Sequence, residues 1–153
     1  MNRSDTSKDR LRLWLRVLKA TRSVETAVRE NLRQEFATTL PRFDVMAALT
    51  QHAEGLKMSQ LSTVMKVSNG NVTGIVERLV EDGHVLREKV AGDRRASRVR
   101  LTEAGEAEFA RQAAAHEAWI DDIFAEVAPE AAQGMAEALD EVARRLDNKD
   151  STV

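Results

Sequence analysis

Between Arg87 and Arg100 the chain carries six basic residues, Arg87, Lys89, Arg94, Arg95, Arg98 and Arg100, against two acids, Glu88 and Asp93. That is a local excess of four positive charges in a protein whose formal net charge is −2. Such a run suits phosphate contact, because each phosphate neutralised by a cation releases condensed counterions. It suits a second chemistry too, since an arginine at a loop tip can enter a narrow minor groove. Asp93, two residues before Arg95, is spaced to brace that guanidinium in a fork-like pair. Upstream lie Ser68, Asn69, Gly70, Asn71, Thr73, Gly74, Glu77 and Arg78, the small and polar members of a helical stretch. Asparagine pairs with adenine edges, threonine touches the thymine methyl, and glycine lets a helix start approach a groove closely. These residues are also common surface fillers. The basic run that follows gives them weight.

Other chemistries find little support. His52, His84 and His116 are far apart, and H-E-x-x-H, G-x-S-x-G, the P-loop and G-x-G-x-x-G are all absent. No catalytic residue, metal site or cofactor is expected. The sequence has no cysteine, which excludes disulfides, thiolate ligands and thiol-based redox sensing. The polar start MNRSDTSKDR and the lack of a long apolar run lead us to expect a cytoplasmic protein without a membrane span.

The elements that must position these residues are mostly helical: few aromatics, no tyrosine and only two prolines argue against a sheet-based core. From Asp9 to Phe36, Trp14, Val17, Val24, Val28, Leu32 and Phe36 recur at helical spacing, and Leu11, Leu15 and Leu18 add a second apolar row. A helix apolar on two sides needs cover from a second chain as well as its own. Pro41 opens a second helix, with Phe43, Met46, Ala47 and Leu49 facing inward, that runs until Gly55. Ser59 caps a short helix burying Leu61, Val64 and Met65, and Ser68 caps another burying Val72, Ile75, Val76 and Leu79. Joined by a tight turn near Lys66 to Ser68, they form a helix-turn-helix that Gly83 ends. Next, HVLREKV and ASRVRL alternate as a two-stranded hairpin, Leu86, Val99 and Leu101 pointing inward and Arg87, Lys89, Arg98 and Arg100 away. Thr102 caps a helix reaching about Val127, and Pro129 opens the last, where Met135, Leu139, Val142 and Leu146 follow the four-three-four spacing of a helix-pair seam.

A helix-turn-helix followed directly by a hairpin is a winged helix. The fold class expected is therefore mostly α, a winged helix-turn-helix with a small hairpin wing and a helical dimerisation region. The segments LPRFDVMAAL, LSTVMKVSNGNVTGIVERLVEDG and GDRRASRVRLTEAG, taken in order with the flanking helices, resemble the MarR family of bacterial transcriptional regulators. The most specific match is D-x-R followed by V-x-L-T-x-x-G, here Asp93, Arg95, Val99, Leu101, Thr102 and Gly105.

The resemblance implies one winged-helix regulator domain over 1–153, with a DNA-binding part of about 40–101 and dimerisation helices of about 9–36 and 102–147. It implies a homodimer, a repressor more readily than an activator, on a pseudopalindromic double-stranded operator. Ser68, Asn69, Asn71, Thr73 and Arg78 would lie at the major groove, with Lys89, Asp93, Arg94, Arg95 and Arg98 on the wing. It further implies a small organic effector, an aromatic carboxylate or its thioester, in a crevice between dimer helices and winged helix. Trp14, Phe43, Met46, His116 and Trp119 offer its walls, Arg42 or Arg16 its anion partner, and Asp44 is a further possibility. Two other classes stay open: a winged helix serving only as a protein-interaction module, and a small enzyme.

Overall fold

The computed structural model describes residues 3–66 and 69–150, so Ser68 lies outside the described residues, as does the side chain of Asn69. In chain order the elements are α1 (Arg3–Phe36), α2 (Leu40–Thr50), β1 (Leu56–Lys57), α3 (Met58–Met65), α4 (Asn69–Glu81), β2 (Val85–Val90), β3 (Asp93–Leu101), α5 (Glu103–Ile123) and α6 (Pro129–Asp150). The chain divides into two compact units, Met1–Glu117 and Ala118–Val153.

Within the first unit, α1 starts at Arg3 rather than Asp9: nothing in those residues breaks a helix, and Asp5 in the first turn favours the positive helix end. Ala37 ends it at φ 50°, donating its N–H to the Arg33 carbonyl at 3.1 Å. Thr39 then caps α2, its hydroxyl accepting from the Arg42 N–H at 3.4 Å, with Pro41 in the first turn. The buried face of α2 is Phe43, Val45, Met46 and Leu49. α2 stops at Thr50, short of Gly55, because two successive turns, His52 N–H to Leu49 carbonyl and Gly55 N–H to His52 carbonyl, reverse the chain. Gly55 itself has φ 86°, and a Cβ there would collide with the Val99 carbonyl.

That reversal creates a strand the sequence does not announce. β1 pairs antiparallel with β3, Leu56 opposite Val99 and Lys57 opposite Arg98, so the sheet is three-stranded in the order β1-β3-β2. β1 leads straight into α3, whose N-cap is Lys57 rather than Ser59. The Gln60 side-chain oxygen accepts the Lys57 N–H at 2.9 Å, one half of a capping box. α3 ends at Lys66 in the left-handed region, φ 52°. Leu61 is fully buried, but Val64, expected inside, is 51% exposed.

One core joins these elements: Val45, Met46 and Leu49 of α2, Leu61 of α3, Val72, Val76 and Leu79 of α4, and Leu56, Val85, Val99 and Leu101 of the sheet. Val85, not Leu86, is the inward residue of β2; Val85 sits opposite Leu101, and Leu86 opposite the outward Arg100. Thr102 ties the end of the α4 segment to the start of α5. Its hydroxyl donates to the Gly83 carbonyl at 2.7 Å and accepts from the Gly105 N–H at 2.9 Å. Its own N–H donates to the His84 carbonyl at 3.0 Å. The His84 carbonyl lies so close to Gly105 that any Cβ at 105 would overlap it.

In the second unit the last turns of α5 end at Ile123, short of Val127, whose N–H instead closes a turn onto the Phe124 carbonyl at 2.9 Å. α6 runs past Leu146 to Asp150. Its Met135, Leu139, Val142 and Leu146 are each at least half exposed.

Candidate nucleic-acid interface

The core-facing side of α4 leaves a solvent face whose centre is Gly74 and Glu77. A Cβ built on Gly74 meets nothing within 4 Å, so this face is smooth and open. Asn71 and Arg78 flank it on the side toward α2, where they line a groove of about 480 Å³ together with Thr39, Pro41 and Arg42. Thr73 stands on the other flank, about 160° round the helix from Asn71, and is partly buried. The two side chains therefore bracket the open glycine face. Arg78 also pairs with Asp82 at 3.3 Å, which fixes its direction along the helix.

The wing separates its cations by face. Directly opposite residues of antiparallel strands share a face, so Arg87 lies with Val99, and Lys89 with Ser97, while Glu88 lies with Arg98 and Leu86 with Arg100. This corrects the expectation that Arg87, Lys89, Arg98 and Arg100 point away together; the pairing register decides it. On the second face, Glu88 accepts from the Nε and Nη2 of Arg100, at 3.2 and 3.0 Å. Arg98 donates to the Gly55 carbonyl at 3.3 Å, tying the wing to the turn before β1. On the first face, Arg87 Nε donates to the Ser97 hydroxyl at 3.0 Å. At the tip, Arg94 and Arg95 are exposed, and among the described residues neither they nor Lys89 have an ion-pair partner. Asp93 does not brace the Arg95 guanidinium as its spacing suggested. Its carboxylate accepts the backbone N–H of Arg95 at 3.0 Å, shaping the turn and leaving the guanidinium to solvent.

The residues expected to line an effector crevice are only partly brought together. Phe43 is buried, with its ring 5.4 Å from Phe109 and 5.0 Å from His116. Beside it, partial burial pushes the Asp44 carboxyl above its usual range; Glu25 adds to the shift, while His116 and Arg29 oppose it. Met46 is 1% exposed and belongs to the winged-helix core. Arg42, one position from Phe43 and so about 100° round α2, lines the groove against α4 instead. Trp14 and Arg16 are exposed on α1. Trp14 precedes Glu25, the α1 residue near Asp44, by about 16 Å along the helix axis. Trp119 lies in the second unit. Phe109, seven residues before His116 and so on the same face of α5, completes the ring cluster.

The fold is shared with known proteins. The MarR family model matches residues 38–97, from the cap of α2 into β3. A MarR family transcriptional regulator from Silicibacter pomeroyi superposes with a TM-score of 0.77 at 31% identity, over 93% of this chain and 98% of that one. The chain belongs to the MarR family. It is thus similar to a MarR family transcriptional regulator along nearly its whole length. Another MarR family member, Sco3205 from Streptomyces coelicolor, solved in complex with DNA, shares the fold at a TM-score of 0.78 and 22% identity, over 92% of this chain and 88% of that one. The HTH-type transcriptional regulator YfiV of Bacillus subtilis is 27% identical over 149 residues, 97% of this chain and 91% of its own. Among the described residues no helix is long and apolar enough to cross a membrane.

Proposed function

We propose that this MarR family regulator acts as a cytoplasmic homodimeric repressor on a pseudopalindromic duplex operator, and is not an enzyme. The observation that carries the DNA reading is the juxtaposition of the open α4 face with a wing tip whose Arg94 and Arg95 are exposed and unpaired among the described residues. α4 enters the major groove through Asn71, Thr73 and Arg78; Ser68 and the Asn69 side chain, also expected there, lie outside the described residues. Glu77, at the centre of the face, is suited to accept from a cytosine amino group. Arg95, with Arg94 and Lys89 beside it, reaches the minor groove. Asp93 sets the turn that presents Arg95, and Arg98 holds the wing in place through Gly55.

Dimerisation is supported by apolar side chains that the chain leaves uncovered. Leu11, Leu13, Trp14 and Leu15 on α1 are each more than half exposed, and the α6 seam is similarly bare. An interface of obligate size, above about 2,000 Å² in total, would cover them. The effector we propose is a small aromatic carboxylate, seated against Phe43 and His116. Distance within the chain leaves Trp14 and Arg16 to contribute only from a second copy.

The test is fluorescence anisotropy on duplex DNA over a salt series. Arg95→Ala is expected to weaken binding to every duplex and to reduce the salt slope by about one per protomer. Wild-type affinity and slope in Arg95→Ala would refute the wing assignment.

A further inference from the structure

Between the wing and the start of α3 lies a polar notch of about 240 Å³, lined by Ser59 of α3, Arg87 of β2, and Asp93, Arg95 and Ser97 of β3, with Lys57 at its edge. None of Ser59, Arg87 and Ser97 belongs to the residues assigned above to base or minor-groove contact. Arg87 is held in place here. Its Nε is spent on the Ser97 hydroxyl at 3.0 Å, which fixes the plane of the guanidinium and leaves its terminal nitrogens as donors. Ser97, accepting from Arg87, keeps its own O–H to donate, and Ser59 offers another hydroxyl from the facing helix. The one carboxylate present, Asp93, has an oxygen occupied by the Arg95 N–H. The notch therefore presents the Arg87 guanidinium and two hydroxyls against one partly satisfied acid. It sits between the recognition helix-turn-helix on one side and the wing on the other.

We propose that this notch seats one backbone phosphodiester of duplex DNA, with Arg87 as its cation and Ser59 and Ser97 as hydroxyl donors. Resting on the DNA-binding reading, it deepens it: a phosphate gripped here fixes the register of the wing relative to α4, positioning the base contacts without reading sequence. Arg87 is thereby a positioning residue, distinct in role from Arg95. A contact with phosphate contributes equally on every sequence, whereas Asn71 or Thr73 contributes unequally. The face of the wing that carries Glu88 and Arg100 supplies an internal control, because Arg100 bears the same charge a few residues away but is paired and turned from the notch.

The experiment uses the full chain and a fluorescein-labelled mixed-sequence duplex of about three helical turns, titrated at several KCl concentrations. Arg87→Gln is expected to weaken binding and to lower the salt slope by about 0.9 per protomer, the value for a single neutralised phosphate on B-DNA. Ser97→Ala and Ser59→Ala are expected to keep the slope and to bind roughly two- to tenfold more weakly, as deletion of a hydrogen bond dictates. Arg100→Gln is expected to leave the slope unchanged. Thermal melting followed by circular dichroism establishes that each variant is folded, and Ser59→Ala, on a different element, gives an independent reading if Arg87→Gln is not. Wild-type behaviour of both Arg87→Gln and Ser59→Ala would overturn the notch while leaving the regulator assignment intact. An equal fall of the slope in Arg100→Gln would overturn it as well, showing a diffuse field in place of a site. If wild-type protein shows no salt-dependent binding to the duplex, the DNA reading falls and the notch with it.

Discussion

Leu139→Ala should loosen self-association without unfolding α6. Leu139 is the second residue of the Met135, Leu139, Val142, Leu146 seam and is 50% exposed. Fully burying a leucine is worth about 1.5–3 kcal/mol, so covering the exposed half contributes roughly half of that in each copy. A two-fold interface counts the residue twice. Allowing for the apolar surface alanine keeps, the weakening is about 1–2.5 kcal/mol, or roughly a five- to sixtyfold higher dissociation constant. Alanine is the best helix former, so local helix stability should not fall and the circular dichroism spectrum should be retained. The assay is sedimentation velocity over a dilution series, with Leu86→Ala as control, since Leu86 is a comparably exposed apolar residue, 41%, on the wing. Equal dissociation constants for wild type and Leu139→Ala would refute the α6 seam as interface. A wild-type monomer at micromolar concentration would refute the dimer itself.

Gly105→Ala is expected to lower the melting temperature sharply, because the methyl group must displace the His84 carbonyl that also accepts the Thr102 N–H; an unchanged melting curve would contradict that packing. Asp44→Asn should raise stability slightly at neutral pH. The carboxyl of Asp44 is held above its unfolded value, so its ionised form costs stability once pH exceeds that range, and the advantage of asparagine should vanish as pH falls through the raised pKa. Melts from acid to neutral pH read this directly, and a constant offset would argue against it. Asn71→Ala and Thr73→Ala should each relax preference at particular base pairs by about 1–3 kcal/mol, and since the two stand on opposite flanks of α4, at different positions. Relaxation at one shared position would contradict the placement.

Much of this fold is legible in the sequence because helices advertise themselves. Val72, Val76 and Leu79 recur at helical spacing, and Pro41, Gly83 and Thr102 punctuate the chain where the structure turns. β1 is invisible for the opposite reason: two residues are too few to show an alternation, and its existence depends on a turn that brings Leu56 opposite Val99, far along the chain. Neighbouring apolar residues defeat a period-two pattern, so Val85 and Leu86 are equivalent until pairing with Leu101 chooses between them. The cationic run is evident as composition, yet its division into two faces follows from register. Likewise, adjacency in sequence places Arg42 with Phe43, whereas one step along a helix turns a side chain about 100° away.

Thr102 carries a consequence for motion. Its hydroxyl and amide rivet the Gly83–His84 turn, where α4 ends, to the first turn of α5 through three hydrogen bonds, at 2.7, 2.9 and 3.0 Å. Gly105 allows the two backbones to come into van der Waals contact, which removes the slack a side chain would introduce. His116 stands eleven residues further along α5, roughly 16 Å from that joint, and touches the ring of Phe43. The segment would act as a lever with its fulcrum at Gly105: a sideways displacement of an ångström at His116 would tilt the helix by about 3–4° over that arm. With the Gly83–His84 turn bonded to Thr102 and packed on Gly105, such a tilt would be passed to the C-terminal end of α4. Thr102→Ala would remove the two hydroxyl bonds of this joint and loosen the coupling while leaving Asn71, Thr73 and Arg78 of α4 unaltered.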